Sequence, residues 1–289
     1  MQPVLTRLAL RGVLAGLVGG VLAFVFARVF VEPRISDAIA YEGARDAAQR
    51  ALDVAAGSTV SEQAPEIVSR TVQADVGLGL ASVAFGVAMG VLVAVGFAIC
   101  QGRVGLLRPR TTALLVAGAG FVGFSLVPFL KYPANPPAIG HEDTIQQRGT
   151  CYLLMVAFSL LLLFAAVALG QRLRPRVGSW TATLLAAGGF VVAIGVVMAL
   201  LPSTGELGNN PQLYGDLATE TPPPLRDPRG QIVFPGFPAD LLAEFRLSSI
   251  GAQLLLWTAI GVVFAPLAER LLQPARPVAD VRRRAPVPG

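Results

Sequence analysis

Six apolar runs, each long enough to cross a lipid bilayer as a helix, constrain this sequence more than any other feature. The hydrocarbon core of a bilayer is about 30 Å thick, so a spanning helix needs about 20 mainly apolar residues. The chain of 289 residues is 54% hydrophobic and 14% charged, whereas soluble domains carry about 25% charged residues. The sequence therefore predicts an all-α integral membrane protein, a single membrane domain with six transmembrane helices. The predicted spans are residues 8–31, 76–100, 111–129, 149–169, 180–201 and 247–267.

Basic and acidic residues are sorted between alternate connections. The N-terminal end up to Arg11, residues 101–110, residues 170–179 and the C-terminal tail together hold 13 arginines and only two acidic residues. The other 16 of the 18 acidic residues fall in three segments, 32–75, 130–148 and 202–246. Short loops rich in Lys and Arg stay in the cytoplasm, so we expect both termini inside and these three segments outside. The net charge of +5 is then a topology signal and does not indicate nucleic-acid binding.

The first and third outer segments differ in their patterns. Apolar residues recur at helical spacing from Ile35 to Ala55, which predicts a helix that stops at Gly57. A second helix is expected to begin just before Pro65 and to continue into the second span. The third segment, 202–246, contains six prolines between positions 222 and 238. We therefore expect it to be mostly extended or irregular.

Within the spans, small residues form stripes. Gly12, Gly16 and Gly20 recur every fourth residue, and Gly86 with Gly90 repeats this spacing. Such stripes let helix backbones approach closely in a bilayer, although a stripe that lines a substrate path is the alternative. Among intramembrane polar residues, serines and threonines can bond to their own helix. Gln253 is therefore the residue expected to need a partner on another span.

Motifs of several common chemistries are absent from the sequence. It contains no G-x-x-x-x-G-K-[ST], H-E-x-x-H, G-x-S-x-G or C-x-x-C, and no ionisable residue lies at the centre of a span. Cys100 and Cys151 are expected at opposite depths, too far apart for a disulfide. We expect no enzymatic activity and no permanently bound cofactor.

The connection between the third and fourth spans concentrates unusual residues. It holds the only lysine and the only histidine of the chain, and four prolines fall within residues 128–137. Proline fixes φ and removes an N–H donor, so we expect a stiff loop at the membrane surface. The residues expected to shape it are Lys131, Tyr132, Pro133, Pro136 and Pro137.

Four residues of this loop are candidate metal ligands. Asn135, His141, Glu142 and Asp143 offer an amide oxygen, an imidazole and two carboxylates, a set suited to borderline divalent ions such as cobalt or nickel. The alternative is that Glu142 and Asp143 stabilise the start of the fourth span by facing the positive end of its dipole. The spacing alone leaves both explanations open.

The run PFLKYPANPP, followed by Gly and DTI, resembles the signature of the CbtA family of probable cobalt transporter subunits. Residues 39–42, IAYE, are similar to an acidic Tyr-Glu element of that family. Residues 237–242 and 245–249, FPADLL and FRLSS, resemble a further family stretch. The resemblance covers nearly the whole chain. It implies a multi-pass protein of the bacterial cytoplasmic membrane that takes up cobalt for cobalamin supply, with a small single-span partner, CbtB.

Residue by residue, the resemblance covers Lys131, Tyr132, Asn135 and Asp143. Family members often have Asp-Pro where this chain has His141 and Glu142, so the resemblance implies no ligand role for those two. The family is commonly given five spans, one fewer than the charge sorting here requires.

Our leading hypothesis is an outer entry region for cobalt, formed by the loop together with Tyr41, Glu42 and Arg246. In it, Glu42 brings a carboxylate to the mouth, while Arg246 pairs with an acid and holds the loop closed. The alternative is a non-transporting membrane scaffold or assembly subunit. An intramembrane enzyme is disfavoured because no nucleophile is paired with a base. The metal or entry-site candidates are Asn135, Asp143, His141, Glu142 and Glu42.

Overall fold

The computed structural model describes residues 2–58, 69–137, 139–140, 142–208, 210–211 and 220–272. Within these residues, six helices are long and apolar enough to cross a membrane. This confirms the predicted all-α membrane fold with six spans. The helices are α1 (Gln2–Phe26, continued by the π turn Ala27–Val31 and by Glu32–Ala55), α2 (Arg70–Val72, the π turn Gln73–Gly77 and Leu78–Cys100), α3 (Pro109–Gly120, the π turn Phe121–Leu126 and Val127–Lys131), α4 (Ile145–Val177), α5 (Ser179–Leu200) and α6 (Ala239–Leu272).

Several helices extend beyond the predicted spans. α1 continues from the first span through the helical part of the first outer segment and ends at Ala55, where Gly57 takes a φ of 78°. α4 and α5 are separated only by Gly178, also at φ 78°. The predicted loop 170–179 is therefore a single-residue break. The helix start expected before Pro65 lies outside the described residues. The first described helical residue of α2 is Arg70.

The start of α6 corrects the prediction for the third outer segment. The helix begins at Ala239, eight residues before the predicted span. The carbonyl of Pro238 accepts the first helical bond, from Leu242 N at 3.2 Å, and Asp240 lies in the first turn, where a carboxylate stabilises the helix dipole. Residues 239–246 include several polar side chains, so a hydropathy scan does not identify them as part of the helix. Before them, the described part of the segment contains the 3-10 turn Thr204–Glu206 and a short antiparallel hairpin, β1 (Leu225–Arg226) with β2 (Ile232–Phe234).

The glycine stripes join α1 to α2. A Cβ atom added at Gly16 would lie 2.2 Å from the carbonyl oxygen of Gly86, and one added at Gly90 would lie 2.1 Å from that of Gly12. Both distances are shorter than any van der Waals contact, so the backbones meet directly. The stripes therefore serve helix packing, and the alternative of a substrate-lining stripe is excluded.

Two of the three π turns precede prolines. The π turn of α1 ends two residues before Pro33, and that of α3 ends two residues before Pro128. Proline has no N–H for the carbonyl four residues earlier, and such positions loosen a helix. In α3 that carbonyl belongs to Phe124, and the hydroxyl of Tyr152 on α4 donates to it at 3.2 Å. A donor from a neighbouring helix thus satisfies a carbonyl that proline leaves open within the membrane.

Two apolar clusters hold the bundle together. The larger joins α1, α2, α3 and α6 around buried residues that include Phe97, Trp257, Ile260 and Phe264. The smaller joins the α4–α5 hairpin to α3 and includes Val127, Tyr132, Cys151, Met155 and Ile194. Cys100 and Cys151 are both free. The fold is thus a four-helix core with a helical hairpin attached along α3.

We expect Gly90→Leu to disrupt the α1–α2 contact. Overpacking costs about 1–3 kcal/mol where side chains can shift, and here the clash is with backbone, so the loss of stability should be at least that large. The control is Gly118→Leu, since a Cβ at this exposed glycine of α3 meets nothing within 4 Å. Thermal unfolding of both purified variants in detergent checks the expectation. Equal stability of the two would contradict the backbone contact.

Candidate functional site

A cavity of about 910 Å³ opens at the end of the bundle that carries segments 32–75, 130–148 and 202–246, which we call the acidic end. Its mouth is formed by the proline-rich loop and the first residues of α4 and α6. Its floor includes Ser125 on α3 and Gln253 on α6. Arg246 at the mouth and Gln253 at the floor are seven residues apart on one helix, so the cavity reaches about 10 Å along the helix axis. Its lining therefore runs from the acidic end to residues of two predicted spans, α3 and α6.

The proline-rich loop is packed against the third outer segment. Tyr132 is buried, and its hydroxyl donates to the carbonyl of Pro202 at 2.7 Å. Pro136 and Ile139 are also buried. The described part of the loop is therefore packed against the start of segment 202–246. Burial, with Cys151 nearby as a smaller cause, raises the pKa of Tyr132 far above its ordinary value, so the hydroxyl remains a donor throughout the physiological range.

Arg246 fastens the loop to α6. Its Nη2 donates to Asn135 Oδ1 at 2.8 Å, and its Nε donates to the carbonyl of Ala134 at 3.2 Å. Arg246 does contact the loop, but through an amide and a carbonyl and not through the acidic partner that the sequence analysis expected. A loop with so few N–H groups presents its oxygens, and a guanidinium supplies several donors in one plane.

A buried ion pair, which the sequence analysis missed, forms another part of the mouth. Arg148 Nη1 lies 3.0 Å from Glu220 Oε2, and the Glu220 side chain is only 1% exposed. Asn210 Nδ2 donates to Glu220 Oε1 at 3.4 Å and to the carbonyl of Thr204 at 2.9 Å. Glu220 stands in a stretch of threonines and prolines with no periodic pattern. No local signal could have placed it beside α4.

The cavity floor contains a directed chain of hydrogen bonds. Trp257 Nε1 donates to Ser125 Oγ at 3.0 Å, and Ser125 Oγ donates to Gln253 Oε1 at 3.2 Å. Gln253 therefore has its partner on α3, another span, as its sequence context suggested. The stacked rings of Phe124 and Trp257, with centroids 5.9 Å apart, lie beside this chain. The floor is thus a polar site enclosed by aromatic residues.

The cavity brings together some of the candidate residues and leaves others apart. Lys131, Tyr132, Pro133, Asn135, Arg246 and Gln253 line it. Asp143 is exposed in the 3-10 turn Glu142–Thr144, and Glu42 is half-buried on α1; neither is among the lining residues. Thr144 is the N-cap of α4 and makes no side-chain capping bond. His141 and the side chain of Glu142 lie outside the description. Among the described residues, no group of three or more His, Cys, Asp or Glu could hold a metal ion.

The helical extension of α1 supports the mouth from the side. Tyr41 donates to the carbonyl of Pro235 at 2.9 Å and packs edge-on against Phe237, with ring centroids 5.1 Å apart. Arg34 Nε lies 3.1 Å from Glu244 Oε2 on α6. Tyr41 therefore positions the hairpin segment and does not line the cavity.

Comparison with known proteins assigns this architecture to a family. The model of the CbtA family, described as a probable cobalt transporter subunit, matches residues 5–269. No curated protein and no solved structure matches the chain. The match spans all six membrane helices and the whole cavity, and a transporter subunit with six spans is a multi-pass protein of the inner membrane. The chain therefore belongs to the CbtA family of probable cobalt transporter subunits.

Proposed function

We propose that the cavity is the vestibule through which cobalt cargo enters this transporter subunit from outside the cell. The observation that carries the proposal is a cavity whose lining runs from the proline-rich loop at the acidic end to Gln253 on the sixth predicted span. The alternative of a non-transporting scaffold has no support from the family match. The proposal includes no catalytic step and no resident cofactor, and cobalt acts only as cargo.

The direction of entry rests on charge sorting. We propose that the acidic end faces outward and both termini face the cytoplasm, because the arginines of the opposite end obey the positive-inside pattern. Asp143 and Glu42 then lie on the outer surface and influence cargo only at long range, screened within about 8 Å at physiological ionic strength. The residues that touch cargo are those of the cavity.

The family description as a subunit implies partner chains. We propose that one partner is a small single-span CbtB-like protein and that the assembly serves cobalamin supply. Both points follow from the family resemblance of the proline-rich loop. Copurification of a small membrane protein with the full chain from its native membrane tests the first.

Narrowing the vestibule should slow uptake. We expect Ser249→Phe, on the cavity wall, to reduce cobalt uptake per chain. The matched control is Leu247→Phe, two residues away on the same helix, where the side chain is 71% exposed and does not line the cavity. Radioactive cobalt accumulation, normalised to the chain present in the membrane, checks this. Normal uptake by Ser249→Phe would contradict a path through the cavity.

Cysteine labelling should establish the orientation. In a chain with Cys100→Ala and Cys151→Ala, we expect Arg229→Cys, on the exposed hairpin, to react with an impermeant reagent added to intact cells. Pro286→Cys, in the arginine-rich tail, should react only after the membrane is permeabilised. The reverse pattern would place the acidic end inside and would exclude entry from the cell exterior.

A further inference from the structure

The polar side chains of the cavity mouth are arranged as hydrogen-bond donors. A guanidinium can only donate, so the Asn135 atom that faces Arg246 Nη2 at 2.8 Å is the amide oxygen. That oxygen already accepts from a guanidinium, so a metal cation at its second lone pair would lie beside a positive charge. The candidate metal ligand of the loop is therefore better placed to donate its Nδ2 protons to a ligand than to bind a cation.

The floor has the same polarity. An indole N–H can only donate, so Ser125 Oγ accepts from Trp257 and directs its own proton to Gln253 Oε1. The Gln253 oxygen thereby accepts one hydrogen bond on the α3 side, and the two Nε2 protons remain for the cavity. Trp257 and Ser125 act as positioning residues for this amide.

The charges of the mouth agree with this polarity. Of the described lining residues, Lys131, Arg148 and Arg246 are basic and Glu220 is acidic. Glu220 is held by Arg148, whereas neither Lys131 nor Arg246 forms an ion pair with an acidic residue in the part of the chain that the structure describes. The described walls carry a net positive charge, which repels a bare divalent cation.

A hydrated cobalt ion fits these walls poorly. The water molecules around the ion point their O–H groups outward. The hydrated ion would therefore present hydrogen-bond donors and a positive charge to side chains that are themselves donors and positively charged. Six waters of about 30 Å³ each occupy about 180 Å³, far below the cavity volume of about 910 Å³. That volume lies within the range of about 300–1,000 Å³ typical of small-molecule sites.

We propose that the cavity binds cobalt as a complex with an organic acid, through the carboxylate oxygens of that complex, and not as the hydrated ion. The inference rests on the proposed function and specifies its substrate class. Lys131 and Arg246 bind carboxylates at the mouth by charge-assisted hydrogen bonds, and Gln253 Nε2 donates to an oxygen at the floor. The metal reaches the membrane interior inside its complex, without a cluster of protein ligands at the entrance.

Ligand binding to the purified full chain in neutral lipid tests this inference directly. The probes are cobalt(II) chloride, citrate and cobalt–citrate at equal concentrations, and the readout is the melting temperature. We expect citrate and cobalt–citrate to raise it and cobalt chloride to leave it unchanged. Stabilisation by cobalt chloride without stabilisation by citrate would overturn the proposal.

Variants then locate the binding site. Lys131→Gln should weaken cobalt–citrate binding by about ten-fold, the effect of losing one charge-assisted hydrogen bond, and Gln253→Leu should weaken it without changing any charge. The control Arg229→Gln removes a positive charge from the exposed hairpin at the same end and should bind as the parent does. If both cavity variants bind normally, citrate binds elsewhere and the proposal is wrong. If phosphatidylglycerol stabilises the chain through Lys131 while citrate does not, the cavity is a lipid site and the proposal is also wrong.

Uptake separates the inference from the function on which it rests. At constant total cobalt, we expect chain-dependent accumulation to increase when citrate is added and Lys131→Gln to lose this increase selectively. Suppression by citrate, with good uptake of the hydrated ion, would overturn the inference and leave the transport function intact. Absence of chain-dependent uptake in either form would overturn the transport function, while the melting measurements would still decide what the cavity binds.

Discussion

The scarcity of backbone N–H donors in the proline-dense segments shapes the acidic end. Proline supplies no donor, so several carbonyls there accept from side chains. Side chains supply the missing donors at four places. These are Tyr132 to Pro202, Tyr41 to Pro235, Arg45 to Pro223 and Arg246 to Ala134. The proline-dense segments are therefore fixed by side chains of the helices and of one another, with little sheet or helix of their own.

The same rule operates inside the membrane and connects the fold to the cavity. Pro128 leaves the carbonyl of Phe124 without its helical donor, and Tyr152 of α4 supplies one. The π turn that accompanies this proline contains Ser125, whose Oγ accepts the hydrogen bond from Trp257 Nε1 and donates to Gln253. One proline thus shapes both the contact of the α4–α5 hairpin with α3 and the local geometry of the floor.

Local sequence patterns were sufficient for the spans but not for the mouth. Hydropathy over about 20 residues identified the six helices, and glycine spacing identified the α1–α2 contact, because both signals are contained in one stretch of chain. The π turns of α1 and α3 lie just before Pro33 and Pro128. A hydropathy scan does not reveal such turns, because it averages over residues without regard to backbone hydrogen bonds. The Glu220–Arg148 pair joins residues 72 positions apart in segments without periodicity. Such a pair forms only when two distant segments pack together, and the sequence of neither segment alone predicts that packing.

The loop illustrates why residue type alone misidentifies a binding role. Asn135, chosen from the sequence for its amide oxygen, has that oxygen beside the Arg246 guanidinium, and this positive charge disfavours a metal cation there. Removing one partner of a buried charged contact costs about 3–5 kcal/mol, and this cost explains why the mouth keeps Arg148 and Glu220 together instead of offering the carboxylate to a cation. What the cavity can bind is therefore determined by the donor and acceptor atoms that contacts within the protein do not use. In this chain the side chains of Lys131, Asn135, Arg246 and Gln253 leave N–H groups available to the cavity.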